Sequence, residues 1–131
     1  YTLISGQDLL GMYCLIRATT LALTHGLTTT TPLVFSHFGV IEFFLCNYEN
    51  AFRYGRLAVR MVNEKDVGPA AVAQANAVGL GNVLHWTMPY GEGIDGTIRG
   101  MRMGVVGREF VLGFYSGVMS LALQLSSGLP L

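Results

Sequence analysis

The stretch TPLVFSHFGVIEFFLCNYENAFRYGRLAVRMVNE, Thr31 to Glu64, decides the fold. Thr31-Pro32 reads as a helix start, with Thr at the cap and Pro at the first helical position, and predicts a helix to about Cys46. Asn47-Tyr48-Glu49 is a short corner, and a further helix follows from about Glu49 to Asn63. Along it Glu49, Arg53, Arg56, Arg60 and Glu64 recur at helical steps, forming one solvated stripe. Glu49 precedes Arg53 by four residues, the favourable order for an ion pair. The opposite face carries Ala51, Gly55, Ala58 and Val62, where small residues let a neighbouring backbone approach closely. Phe35, Phe38, Ile41 and Leu45 are expected to fill that groove, each contributing about 1.5–3 kcal/mol if fully buried.

Outward from this hairpin, helical periodicity dominates and strand alternation is scarce. A first helix is expected from about Gln7 to Thr24, with Ser5 as its cap and His25-Gly26 as its stop. Leu27 to Thr31 is a Thr-rich loop and Glu64 to Gly68 a charged one. Pro69 opens a fourth helix reaching about Trp86. Pro89 precedes a fifth from about Gly91 to Val106, and after Gly107 a sixth covers roughly Arg108 to Leu125. In the fifth helix Gly96, Gly100 and Gly104 are spaced by four, beside a polar face of Glu92, Asp95, Arg99 and Arg102. Each interior glycine costs about 1 kcal/mol of helix propensity, so close packing must offset the loss. The expected architecture is all-α, one domain over 1–131: about six antiparallel helices forming three stacked helical hairpins.

Composition limits the function classes. Eight basic and eight acidic residues leave zero net charge, which excludes a globally basic nucleic-acid binder. Two cysteines cannot make a disulfide scaffold, so a reducing, cytoplasmic setting is expected. Cys14 and Cys46 read as buried thiols on apolar helices. The stretch from Phe110 to Leu131 carries no charge and is long enough to span a bilayer. Its serines, Gln124 and its glycines lower its hydrophobicity, so a soluble helix is the preferred reading and a spanning one the alternative.

The second and third expected helices, within Thr31 to Glu64, also match a tetratricopeptide register, a repeat of roughly 34 residues. Phe35, Phe38, Gly39, Tyr48, Ala51 and Ala58 fall where that pattern places two large apolar residues, a glycine, an aromatic and two small residues. Glu42 stands where an aromatic is usual, Gly55 replaces a large residue, and the closing proline is absent. More narrowly, Phe35-Ser-His-Phe-Gly39, the run Asn47 to Ala58, and His85-Trp86 with Pro89 together resemble the helical-repeat region of very large signalling kinases. In those proteins it follows an AAA-type predicted ATPase, with a serine/threonine-kinase-like domain, GAF and histidine-kinase domains in the same chain. The likeness covers roughly Leu3 to Leu125 and departs at Gly107-Arg108, where family members often show Gly-Asp. It implies a tetratricopeptide-like α-solenoid segment of a multidomain protein, non-catalytic in this chain. Its partners would be neighbouring domains and a protein or peptide.

No residue pattern names a reaction. His25, His37, His85, Cys14 and Cys46 lack the close pairs of a zinc site, and Gly91 to Gly96 lacks the ending of a phosphate loop; neither metal nor cofactor is expected. Glu42, alone in an apolar helix, is expected to pair with Arg17 or Arg53. An α-helical enzyme using Glu42 or His37 is a further alternative. Arg53, Arg56 and Arg60, with Arg99, Arg102 and Arg108 as a second set, form ridges able to pair with oxyanions, though a solvated face is the plainer reading. Trp86 is expected to plug the next hairpin while Pro89 ends the helix. A peptide groove, if present, is expected at Phe35, Phe38, Tyr48 and Tyr54, with Gly39, Ala51, Gly55, Ala58, Trp86 and Pro89 as the structural repeat positions.

Overall fold

The computed structural model describes residues 8–64 and 67–128, and among these every regular element is helical. Helix α1 is Asp8–His25, α2 Thr31–Phe44 and α3 Tyr48–Glu64. Helix α4, Pro69–Ala75, runs on into a π-helix, Asn76–Val83, and a 3-10 turn, Leu84–Trp86. Then come α5, Tyr90–Val106, and α6, Phe110–Ser127. Ser5, Gln7, Lys65 and Asp66, named in the expected caps and loops, lie outside the described residues.

The helix ends follow from local chemistry. Gly26, at φ 104°, takes the left-handed conformation that stops α1. Thr19, Thr20 and Thr24 stay inside α1 because each hydroxyl donates to the carbonyl four residues back, at 2.8–2.9 Å. Thr31 does not cap α2 as expected. Thr30 occupies that position without a side-chain bond, and the Thr31 Oγ1 instead accepts the Thr28 N–H at 2.7 Å, bracing the preceding loop. The turns α2–α3 and α5–α6 close identically. Asn47 and Glu109 N–H groups reach back to the carbonyls of Glu42 and Gly104, at 2.9 and 2.8 Å. Cys46 and Arg108 sit at φ 60° and 58°. This is the Schellman closure, with a side-chain-bearing residue where glycine is usual.

Consecutive helices pack on each other and run antiparallel. Against α3, Gly39 of α2 lies opposite Ala51 and Gly55, Phe35 near Ala58, and Phe43 near Phe52. Between α5 and α6, Gly104 meets Gly113 and Gly100 meets Ser116. The rod 69–86 lies at the centre, touching α2, α3, α5 and α6. From Ala71 to Leu84 only Gln74 and Asn82 escape full burial, so its Ala, Val, Leu and Gly residues face neighbours on every side. Helix α1 lies at one edge and packs mainly on α2, with Ala22 reaching the cluster of Phe35, Ala58 and Met61.

The small-residue seams do the work foreseen for them. A Cβ on Gly39 would lie 3.0 Å from the Ala51 carbonyl oxygen. One on Gly104 would lie 2.5 Å from the Gly113 Cα, and one on Gly96 would collide with Leu80. The fourth helix covers its expected span, yet its second half is π-helical, a widened spiral that is rare at this length. Gly79 and Gly81 lie in it, facing Ser36 and Met119 closely.

Several expected placements are corrected. Leu45 does not fill the α2–α3 groove: it falls beyond the end of α2 and is 66% exposed. Cys14 and Cys46 are exposed rather than buried, because α1 has a neighbour on one face only and Cys46 sits at the turn. Arg60 pairs with Glu64 at 2.7 Å, whereas Glu49 and Arg53 do not pair.

Candidate functional site

Of the four residues expected to line a groove, three come together. Tyr54 packs its ring against Phe38 and Phe35, with centroids 4.8 and 5.7 Å apart. Phe35 is 1% exposed and sealed between α1, α2 and α3, so it is core. Tyr48 lies at the other end of the hairpin. There it meets Phe43 at 5.1 Å, and Phe43 also meets Phe52 and stacks on Trp86 at 6.4 Å. Trp86 therefore does not plug a hairpin: it lies flat on Phe43 with 66% of its surface exposed.

The candidate catalytic groups are each held by a local hydrogen bond. Glu42 accepts a hydrogen bond from the Asn47 amide at 2.6 Å rather than pairing with Arg17 or Arg53. His37 donates from Nδ1 to the Leu33 carbonyl at 3.0 Å. Burial pushes its pKa down, the hydrogen bond partly opposing. Burial likewise lowers His85, whose Nδ1 is enclosed without a hydrogen-bond partner. Among the described residues, no three His, Cys, Asp or Glu side chains converge where a metal ion could sit.

His37 borders a cleft of about 500 Å³ with Met12, Ile41 and Val78, and further clefts lie elsewhere on the surface. A cleft of about 520 Å³ runs along α3, bounded by Leu23 of α1 and by Arg53, Tyr54, Arg56, Leu57 and Arg60. A second of about 470 Å³ lies on the other side of Arg56 and Arg60, closed by Leu84, Met88 and Glu92. A third, about 820 Å³, is an apolar trough between α5 and α6, with Met101, Val105, Phe110, Phe114 and Leu121 on its walls.

Both edge helices are inverted relative to a water-facing helix. In α6 the buried positions are Gly113, Ser116, Ser120 and Leu123, while Phe110, Phe114, Leu121 and Leu125 are 51–75% exposed. In α1 Gly11 and Thr19 are buried, and Leu9, Tyr13, Ile16 and Leu23 are 48–84% exposed. Composition and periodicity placed these residues on helices but could not say which face would be left uncovered. The apolar density of Phe110–Leu125 was the available signal.

Comparison with family models, with curated proteins and with solved structures finds no match.

Proposed function

We propose that this chain is a non-catalytic scaffold segment: stacked tetratricopeptide-like hairpins that hold neighbouring domains of a multidomain signalling ATPase-kinase in register and present a surface to a protein partner. The observation that carries the reading is the paired exposure of large apolar side chains on α1 and α6, the two edge helices, around a central rod buried over most of Ala71 to Leu84. In a solenoid each repeat covers the face its neighbour leaves open, so a terminal helix without a successor shows such a face. Packing of each helix on the next in sequence, and of the rod 69–86 on α2 and α6 as well, supports the same stacking. The identical closure of the α2–α3 and α5–α6 turns supports a repeated hairpin unit. The signalling context rests on the resemblance at Phe35–Gly39, Asn47–Ala58 and His85–Pro89.

The test is hydrogen exchange on the chain alone and on the full-length protein its gene encodes. Amides of α1 and α6 are expected to gain protection in the longer protein, where adjoining repeats cover them. Unchanged exchange in both helices, or a start codon and a stop codon directly flanking the chain, would refute the proposal.

A second reading has a specific observation behind it. Helix α6 is an uncharged 18-residue helix, long and apolar enough to cross a bilayer, and it turns its small and hydroxylated residues toward α5. Small residues at helix contacts and large apolar ones outside also describe a membrane span. Flotation with liposomes that survives alkaline carbonate would favour it, and recovery in the detergent-free supernatant favours the scaffold.

A further inference from the structure

Helix α3 carries its arginines on the face turned away from the core, and they are not neutralised in the usual way. Arg53 and Arg56 are exposed and make no ion pair within 4.0 Å among the described residues; Arg60 alone is bridged, to Glu64. An exposed helix normally intersperses acids four residues from its bases, and Glu49 stands at that spacing from Arg53 without contacting it. The chain is neutral as a whole, so the positive potential here is local.

This cationic row borders a concave surface. The 520 Å³ cleft has an apolar floor of Leu23, Tyr54 and Leu57, a rim of Arg53, Arg56 and Arg60, and no carboxylate in its lining. Leu23 and Leu57 are 64% and 41% exposed. Its volume falls in the range that accepts a ligand side chain or small molecule. The cleft across the ridge includes Glu64 and Glu92, so its charge is mixed, whereas arginines are the only charged residues lining the Leu23 side.

The geometry points to this α3 cleft as the docking site of an acidic peptide segment bearing an apolar anchor, the anchor seated on Leu23, Tyr54 and Leu57 and its flanking carboxylates paired with Arg53 and Arg56. This inference deepens the scaffold reading and rests on it. Arginine's planar fork pairs bidentately with carboxylates, while an inorganic anion would leave the apolar floor wet. The anchor supplies affinity through buried area, and the arginines supply on-rate and selection against basic partners.

The test uses the whole chain and three fluorescein-labelled peptides read by anisotropy: one with phenylalanine flanked by glutamates, one with serine replacing the phenylalanine, and one with lysines replacing the glutamates. The first is expected to bind, and the other two more weakly by at least about tenfold, since a lost anchor or a lost charge pair each exceeds ~1.4 kcal/mol. Binding should weaken as salt rises and the Debye length shortens. The double variant Arg53→Glu/Arg56→Glu should lose at least about tenfold with unchanged circular dichroism, while Arg102→Glu on α5 keeps full affinity. Equal binding of the lysine peptide, undiminished binding by the double variant, or no binding at all would overturn the proposal. So would arginine-dependent capture by phosphatidylserine vesicles in place of the peptide. The hydrogen-exchange test reads α1 and α6 and not α3. A failed peptide titration therefore leaves the scaffold reading standing, and unprotected edge helices leave the cleft to be judged by the peptides alone.

Discussion

Replacing Gly104 by alanine tests the packing of α5 on α6 more sharply than any other single change. In an exposed helix interior Gly→Ala stabilises by about 0.8–1 kcal/mol. At position 104 the new Cβ would lie 2.5 Å from the Gly113 Cα, 2.9 Å from its nitrogen and 3.1 Å from the Glu109 carbonyl oxygen. All three are backbone atoms, so no side chain can rotate aside, and α6 itself must move. Overpacking a tight core costs about 1–3 kcal/mol and occasionally more, and at a backbone-to-backbone contact the upper part of that range applies. Net destabilisation of roughly 1–2 kcal/mol is expected after the propensity gain. Gly91, in the first turn of α5, has nothing within 4 Å of its hypothetical Cβ, so Gly91→Ala should stabilise by a few tenths to about 1 kcal/mol. The assay is urea denaturation followed at 222 nm, comparing both variants with the parent at constant m-value. If Gly104→Ala were as stable as the parent or more so, α5 and α6 would not meet back to back, and the seam argument would fail.

Phe35→Ala should cost about 3–5 kcal/mol, since Phe35 is sealed in the core, whereas Trp86→Ala should cost about 0.5–1.5 kcal/mol for loss of its stack on Phe43; equal losses in chemical denaturation would contradict the assigned burial. Cys46→Gly relieves a left-handed side-chain-bearing residue and should raise stability by about 0.5–1 kcal/mol, read as an upward shift of Tm; a fall would show that the α2–α3 turn closes differently. Burial lowers His37 and His85 below the ordinary histidine pKa of 6.5, so the unfolded chain binds more protons than the folded one in mildly acidic solution. Stability is thus fully present above about pH 6.5 and declines as pH falls toward the folded-state values, by at most ~1.4 kcal/mol per pH unit for each histidine. The urea midpoint at pH 5.5 against pH 7.5 measures this, and His37→Gln should flatten the difference; an unchanged slope would show that His37 is solvated.

Helix spans were legible because they depend on near neighbours in sequence. Pro32, Pro69 and Pro89 mark starts, and Gly26, Gly107 and Gly128 lie at ends. The seams were legible for a related reason: residues at helical spacing share a face whatever that face meets, so Ala51, Gly55 and Ala58, or Gly96, Gly100 and Gly104, announce a close approach in advance. The π-helical turn of 76–83 was not legible, since its spacing departs from the ordinary helical period only after the rod is gripped from several sides.

The candidate groove was read with less success because it mixed residues from the two ends of an antiparallel hairpin. Phe35 and Tyr48 share an apolar character, yet Tyr48 lies beside the turn with Phe43 and Phe35 sits at the far end beneath Tyr54. The arginine stripe was visible, but not the missing Glu49–Arg53 pair, nor that Leu23 of α1 would come to border it.

The amino-acid order alone determined that this chain is helical, where its rods begin and end, and which faces carry glycine and alanine, because those properties are set within a few residues. Tertiary structure decided what is covered. It buried Phe35 and left Trp86, Leu45 and both cysteines in solvent. It also turned the large apolar residues of α1 and α6 outward and set an apolar floor beside Arg53 and Arg56. Burial belongs to the space between elements distant in sequence, and a side chain's own hydrophobicity does not say whether a neighbour will arrive to cover it.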